Sequence, residues 1–172
     1  MRTSLRTMIA GAALLVGATF TAPAANAQIG FVVQGSYGLD VEAIGVGAGV
    51  NFGLGSMTTN NGISAEATFD YFFADDPLTY WEVNANALYN VKSISNLYVG
   101  AGVNYAHAGY NFDEDDCGGF DCDDIFDGAS SSDIGLNVLA GWKFTGGKGP
   151  FVQARFSIGG GEQLVLTGGF RF

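Results

Sequence analysis

Residues 63–73 read ISAEATFDYFF and residues 81–91 read WEVNANALYNV. In both stretches apolar and polar side chains alternate one by one. A strand sends successive side chains to opposite faces, so each stretch has one apolar and one polar face. One parity gives Ile63, Ala65, Ala67, Phe69, Tyr71 and Phe73, then Trp81, Val83, Ala85, Ala87, Tyr89 and Val91. The other gives Ser64, Glu66, Thr68 and Asp70, then Glu82, Asn84, Asn86 and Asn90. A helical period of 3.6 would mix the two sets, so the pattern reads as strand.

The same period runs through the rest of the chain after residue 28. It predicts β1 over 29–37, β2 over 43–52, β3 over 63–73 and β4 over 81–91. It predicts β5 over 97–110, β6 over 133–144, β7 over 151–158 and β8 over 163–172. Each is about the 9 to 11 residues that a tilted strand needs to cross a bilayer. Turn residues separate them: Gly53–Leu54–Gly55 with Asn60–Asn61–Gly62, then Ser93 to Asn96, then Gly146 to Pro150. The apolar parity holds no charge in any of the eight. The other parity holds Gln34, Asn51, Asn104, Asn137, Lys143, Gln153, Arg155, Thr167 and Arg171, with many glycines between.

Size decides which face points outward. An eight-stranded barrel has an interior just wide enough for side chains. Two Trp and many Phe and Tyr from one face cannot fit there, whereas a polar, Gly-rich face can. The apolar face therefore points to lipid, where a charge at the midplane costs roughly 2 to 4 kcal/mol. Aromatics gather near both strand ends, as expected at membrane interfaces. Tyr37, Tyr71, Phe73, Trp81 and Tyr105 fall at one end, and Phe31, Phe52, Tyr89, Trp142, Phe144, Phe170 and Phe172 at the other.

Composition agrees. The chain has 172 residues, with 17 Asp and Glu against 7 Lys and Arg, a net charge of −10. Such acidity argues against nucleic acid, whose phosphates need a basic surface. Arg2 and Arg6, the apolar run Met8 to Phe20 and the small residues around Asn26 form a secretory signal peptide over 1–27. Cleavage is expected between Ala27 and Gln28, which leaves 28–172 as one barrel domain.

Eight alternating strands ending in Gly168–Gly169–Phe170–Arg171–Phe172 resemble the OmpA/OmpX-like outer-membrane β-barrel superfamily, a group of porin-type barrel domains. The resemblance implies an all-β, eight-stranded antiparallel up-and-down transmembrane β-barrel in the bacterial outer membrane. It also implies that Phe170 and Phe172 form the C-terminal signal read by the barrel assembly machinery, after delivery by periplasmic chaperones. Contact with outer-membrane lipid and lipopolysaccharide, a monomeric state, and no cofactor or enzyme activity are the further expectations. The expected role is structural or surface-interacting, and the alternative is a narrow pore for ions or small solutes.

Three features bear on a site. Glu66, Asp70 and Glu82 lie on β3 and β4, and Lys143, Arg155 and Arg171 on β6, β7 and β8, all facing the lumen. They read either as an electrostatic gate or as structural pairing of buried charge. The stretch 111–132 reads NFDEDDCGGFDCDDIFDGASSS, acidic and without a base. Asp113, Asp115, Asp116, Asp121, Asp123, Asp124 and Asp127 are candidate calcium ligands, since that ion takes six to eight oxygens. Their spacing does not match an EF-hand, and the other reading is a solvated acidic tip closed by a Cys117–Cys122 disulfide. His107, the one histidine, is followed by Ala108, Gly109 and Tyr110. The nearby serine of eight-stranded lipid A deacylases is thus missing, and His107 reads as an interfacial side chain.

Overall fold

The computed structural model describes residues 29–54, 62–110 and 130–172. Its strands are β1 Ile29–Gly38, β2 Ala43–Gly53, β3 Ile63–Phe72, β4 Leu78–Asn90, β5 Leu97–Tyr110, β6 Ser130–Lys143, β7 Gly149–Ile158 and β8 Leu164–Arg171. Each pairs antiparallel with the next, and β1 pairs with β8, so the sheet closes into a barrel with no free edge. The start of β1, the end of β8 and the β4–β5 and β6–β7 connections lie at one end, called here the turn end. The β1–β2, β3–β4 and β7–β8 connections lie at the other, the loop end.

Exposure follows the alternation strand by strand. Ile134 is 75 % and Phe31 63 % exposed, while Glu82 is 0 % and Asp70 2 % exposed. The barrel is therefore apolar outside and polar inside. The aromatic rings also form two bands. At the loop end Trp81 lies 5.6 Å from Tyr105 and 5.9 Å from Phe69, and Tyr71 lies 5.5 Å from Phe73. At the turn end Phe170 and Phe172 lie 4.8 Å apart.

Three strands begin earlier than their alternation predicts. β4 begins at Leu78 rather than Trp81, because Leu78, Thr79 and Tyr80 pair with Tyr110, Gly109 and Ala108. Tyr80 turns inward onto Phe72, with ring centroids 5.4 Å apart, so an aromatic stands where the alternation asks for a polar side chain. β6 begins at Ser130, three residues before Asp133, as the serines continue the ladder with β5. β7 begins at Gly149 and includes Pro150, whose missing N–H is tolerated so near a strand start.

The interior is layered. Val32, Leu88, Tyr98, Leu139 and Phe151 form an apolar plug at the turn end. Ala43, Phe72, Tyr80, Ala106 and Val165 form a second at the loop end. Polar and charged side chains fill the space between. Glycine makes room for them: a Cβ on Gly141 would stand 2.3 Å from the Tyr98 hydroxyl, and one on Gly47 would stand 2.2 Å from Asp70 Oδ1.

If the outer face meets lipid, Val138→Arg near mid-strand lowers folding stability in vesicles by roughly 2 to 4 kcal/mol. Denaturant titration followed by Trp81 and Trp142 fluorescence checks this. A change within experimental error would argue for water at that face.

Candidate functional site

The lumen is built from the turn end upward. Arg171 of β8 lies between two rings, 4.8 Å from the Tyr98 centroid and 3.9 Å from that of Phe151. Its Nε and Nη2 donate to the two oxygens of Glu66, at 2.8 and 3.2 Å. This two-pronged geometry is the strong form of an arginine–carboxylate pair. Nη2 also donates to the Tyr98 hydroxyl at 3.3 Å, and that hydroxyl donates to Gln153 Oε1 at 2.9 Å.

Asp70 sits one layer higher without a salt bridge. Gln34 Nε2 donates to it at 2.7 Å, and Ser36, Thr68 and Asn84 complete the shell at 3.2 to 3.4 Å. Neutral donors replace the water that a buried carboxylate loses. Above it Arg155 of β7 donates to Glu82 and Asn84. Glu82 also accepts from the Tyr80 hydroxyl and, at 2.8 Å, from the backbone N–H of Glu162. Asn137 donates to both Asn84 and Asn86, at 3.0 and 3.1 Å. The space left beside Glu66, Asp70 and Arg155 is a cavity of about 10 Å³. That is close to the least volume that holds one water.

Of the six charged residues that the alternation turns inward, four form two ion pairs, Glu66 with Arg171 and Glu82 with Arg155. Asp70 is held by amides and hydroxyls. Lys143 lies at the turn-end mouth, where Nζ donates to Asn90 Oδ1 at 2.6 Å.

The loop end adds a residue that the alternation does not reveal. The β7–β8 connection dips into the lumen, where Asn104 Nδ2 donates to Gly160 O at 2.8 Å. Gly161 has φ +81°, and a Cβ there would stand 2.2 Å from Asn104 Nδ2. Glycine is required on both counts. The next residue, Glu162, accepts from the backbone N–H groups of Asp40 and Val41 in the β1–β2 turn. Asp40 returns the contact, accepting from Gln163 N at 2.9 Å. Two neighbouring loops are thus latched by reciprocal carboxylate caps. The sequence signal was an acid directly after three glycines, Gly159 to Gly161.

His107 has a partner that no local motif could show. Ser132, its cross-strand neighbour on β6, has Oγ 2.9 Å from His107 Nδ1. The Trp81 ring lies 5.1 Å from the imidazole on the same outer face. A serine hydrolase also needs a carboxylate to orient the histidine and donors for an oxyanion. Among the described residues no carboxylate bonds His107, and the acid beside Ser132, Asp133, accepts from Ser131 at 3.1 Å instead. The pair joins β5 to β6 at the loop-end aromatic band.

Cys117, Cys122, the seven loop aspartates from Asp113 to Asp127, Ala27 and Gln28 lie outside the described residues. Phe170 and Phe172 are exposed on the outer face.

Two outcomes follow. Glu82→Ala leaves Arg155 buried without its acid and costs about 3 to 5 kcal/mol. Glu82→Ala with Arg155→Ala costs less than the sum of the two single changes, which a double-mutant cycle measures. The second concerns pH. Burial raises the Glu162 carboxyl above its ordinary value of 4.5, against the two backbone bonds that lower it and with Asp40 and Glu82 adding repulsion. The seated loop then holds a proton more tightly than a released one. Seating is strongest below about pH 4.5 and weakens as pH rises through the seated value. Exchange protection of the Asp40 and Val41 amides, corrected for intrinsic rates, should fall over that window, and Glu162→Gln should flatten the trend.

No protein-family model matches the chain, and no curated protein matches it. Solved structures do. The N-terminal β-barrel domain of Pseudomonas aeruginosa OprF superposes with a TM-score of 0.51 at 14 % identity, covering 84 % of this chain and 96 % of that one. Neisserial surface protein A gives 0.48 at 15 % identity, covering 84 % and 91 %. Ail of Yersinia pestis gives 0.41 at 17 %, covering 84 % and 95 %. At such identity the likeness concerns fold alone, and together with the closed sheet it establishes an eight-stranded, antiparallel, up-and-down barrel.

Proposed function

We propose that this chain is exported, cleaved between Ala27 and Gln28, and inserted in the bacterial outer membrane as a closed anchor for an acidic outer surface. The observation that carries this is the filled lumen. Two apolar plugs flank a paired charge network, and the cavity beside Glu66, Asp70 and Arg155 is only about 10 Å³. An apolar belt around a polar interior is the reverse of a soluble barrel and is stable in lipid.

The loop end is the working surface. Among the described residues Asp40, Glu42, Asp75, Asp76 and Asp133 belong to it and no Lys or Arg does, and the sequence 111–132 between β5 and β6 is acidic and without a base. Lipopolysaccharide or a cationic partner is what such a surface would meet. Calcium at Asp113 to Asp127 and a Cys117–Cys122 bridge belong to the same proposal. Phe170 and Phe172 would serve the assembly machinery from the outer face.

Planar-bilayer conductance of the refolded barrel tests the anchor against the pore. The expected result is silence from barrels whose insertion is verified by protease protection. Reproducible steps that vanish in an unfolded control would make the chain a narrow pore.

A further inference from the structure

Among the described residues, charge outside the lumen is sorted along the barrel axis. Asp40, Glu42, Asp75, Asp76 and Asp133 lie at the loop end. Lys92, Lys143 and Lys148 lie at the turn end, where the β4–β5 and β6–β7 connections contain no acidic side chain. At that end a cavity of about 460 Å³ opens between the β4–β5 and β6–β7 turns, walled by Asn90, Lys92, Asn96, Lys143, Gly62 and Gly146.

Lys143 is fixed at both ends of its side chain. Its backbone N–H donates to Asn96 O at 2.9 Å, and its ammonium donates to Asn90 Oδ1 at 2.6 Å. Asn90 is itself oriented, since its Nδ2 donates to Gly62 O at 3.2 Å. The ammonium is half-buried, and among the described residues its hydrogen-bond acceptor is a neutral amide. It also lies 5.4 Å from the Tyr98 ring that Arg171 stacks on. Arg171 pairs with Glu66, and its Nη1 is buried without an acceptor. Lys92 and Lys143 both line the cavity, and among the described residues neither forms a salt bridge.

A cation removed from water needs a counter-charge, and a neutral amide supplies none. A lysine presents three donors from a point charge, which suits a tetrahedral anion better than a planar one. Two lysines and Asn96 lining one cavity match a ligand with several acceptor oxygens and more than one negative charge. We propose that this vestibule is a phosphate-binding site. The phosphate belongs either to a phospholipid headgroup or to a free phosphate in the surrounding water. Trp142, next to Lys143 in the chain, sets the mouth at the depth of the turn-end aromatic band, where headgroup phosphates lie.

The test uses the refolded chain, first in an uncharged, phosphate-free maltoside detergent. Amide and lysine Nζ resonances are followed while inorganic phosphate is added at constant ionic strength, with chloride as control. The expected result is saturable shifts of Lys92, Asn96 and Lys143, with affinity falling at least about tenfold in Lys143→Gln. Lys92→Gln, in an exposed turn, gives a second reading if Lys143→Gln fails to fold. Nanodiscs of phosphatidylglycerol then separate the sources. Shifts present before any phosphate is added identify a headgroup, and shifts that need added phosphate identify the free ion. The proposal is overturned if no saturable shift occurs by phosphate on the order of 10 mM. Equal shifts with chloride, or shifts unchanged in both variants, would overturn it as well.

Discussion

Eight strands close around a space that side chains alone can fill, and this narrowness governs the rest of the molecule. A long inward side chain is admitted only where a facing position is empty. Tyr98 reaches the lumen because Gly141 opposite has no Cβ, and Asp70 because Gly47 has none. With Tyr98 in place, Arg171 has a ring to lie against and Phe151 can close over its other face. Positions far apart in the chain are therefore coupled through volume, and charge pairing is a consequence of that crowding. In so little space a carboxylate finds either a guanidinium, as Glu66 and Glu82 do, or a ring of neutral donors, as Asp70 does.

The same narrowness explains the division between interior and ends. Inside, four buried acids, Glu66, Asp70, Glu82 and Glu162, face two arginines, and hydroxyls, amides and backbone N–H groups make up the difference. Outside, nothing forces opposite charges together, and among the described residues they separate. The loop end is acidic and the turn end basic. Such polarity acts on partners rather than on folding, since exposed charges contribute little to stability. The barrel has two chemically opposite ends.

Much of this was legible in the sequence because the strand period is two and one face tolerates no charge. The eight strands, the outward face and the six inward charges all follow from parity. Parity does not reveal which residues of the polar face are apolar plugs. Val32, Leu88, Leu139 and Phe151 look like interruptions of the pattern until the register places them in one layer near the turn end. The early start of β4 escaped for the same reason, because Tyr80 is an inward aromatic. Glu162 lay in a connection, where parity has no meaning and only the fold brings it to Asp40. Ser132 met His107 through pairing of β5 with β6, beyond the reach of any local motif. Lys143 was read as a lumen charge, yet its place at the mouth depends on the turn that Asn96 closes.

Some of the polar contacts lie where the barrel is hardest to close. The seam between β1 and β8 joins Val32 to Arg171, the ends of the whole domain, while every other ladder joins neighbours in sequence. Closing so long a loop costs entropy before any seam contact forms, although that cost grows slowly with length. The seam is stitched at three heights. At the turn end Arg171, the last residue of β8, reaches across to Glu66 on β3. At mid-height Ser36 and Thr167 share a hydrogen bond of 3.1 Å, and Ser36 also meets Asp70. At the loop end the Glu162 and Asp40 caps lock the two adjoining loops. Contacts at these heights hold the first and last strands together.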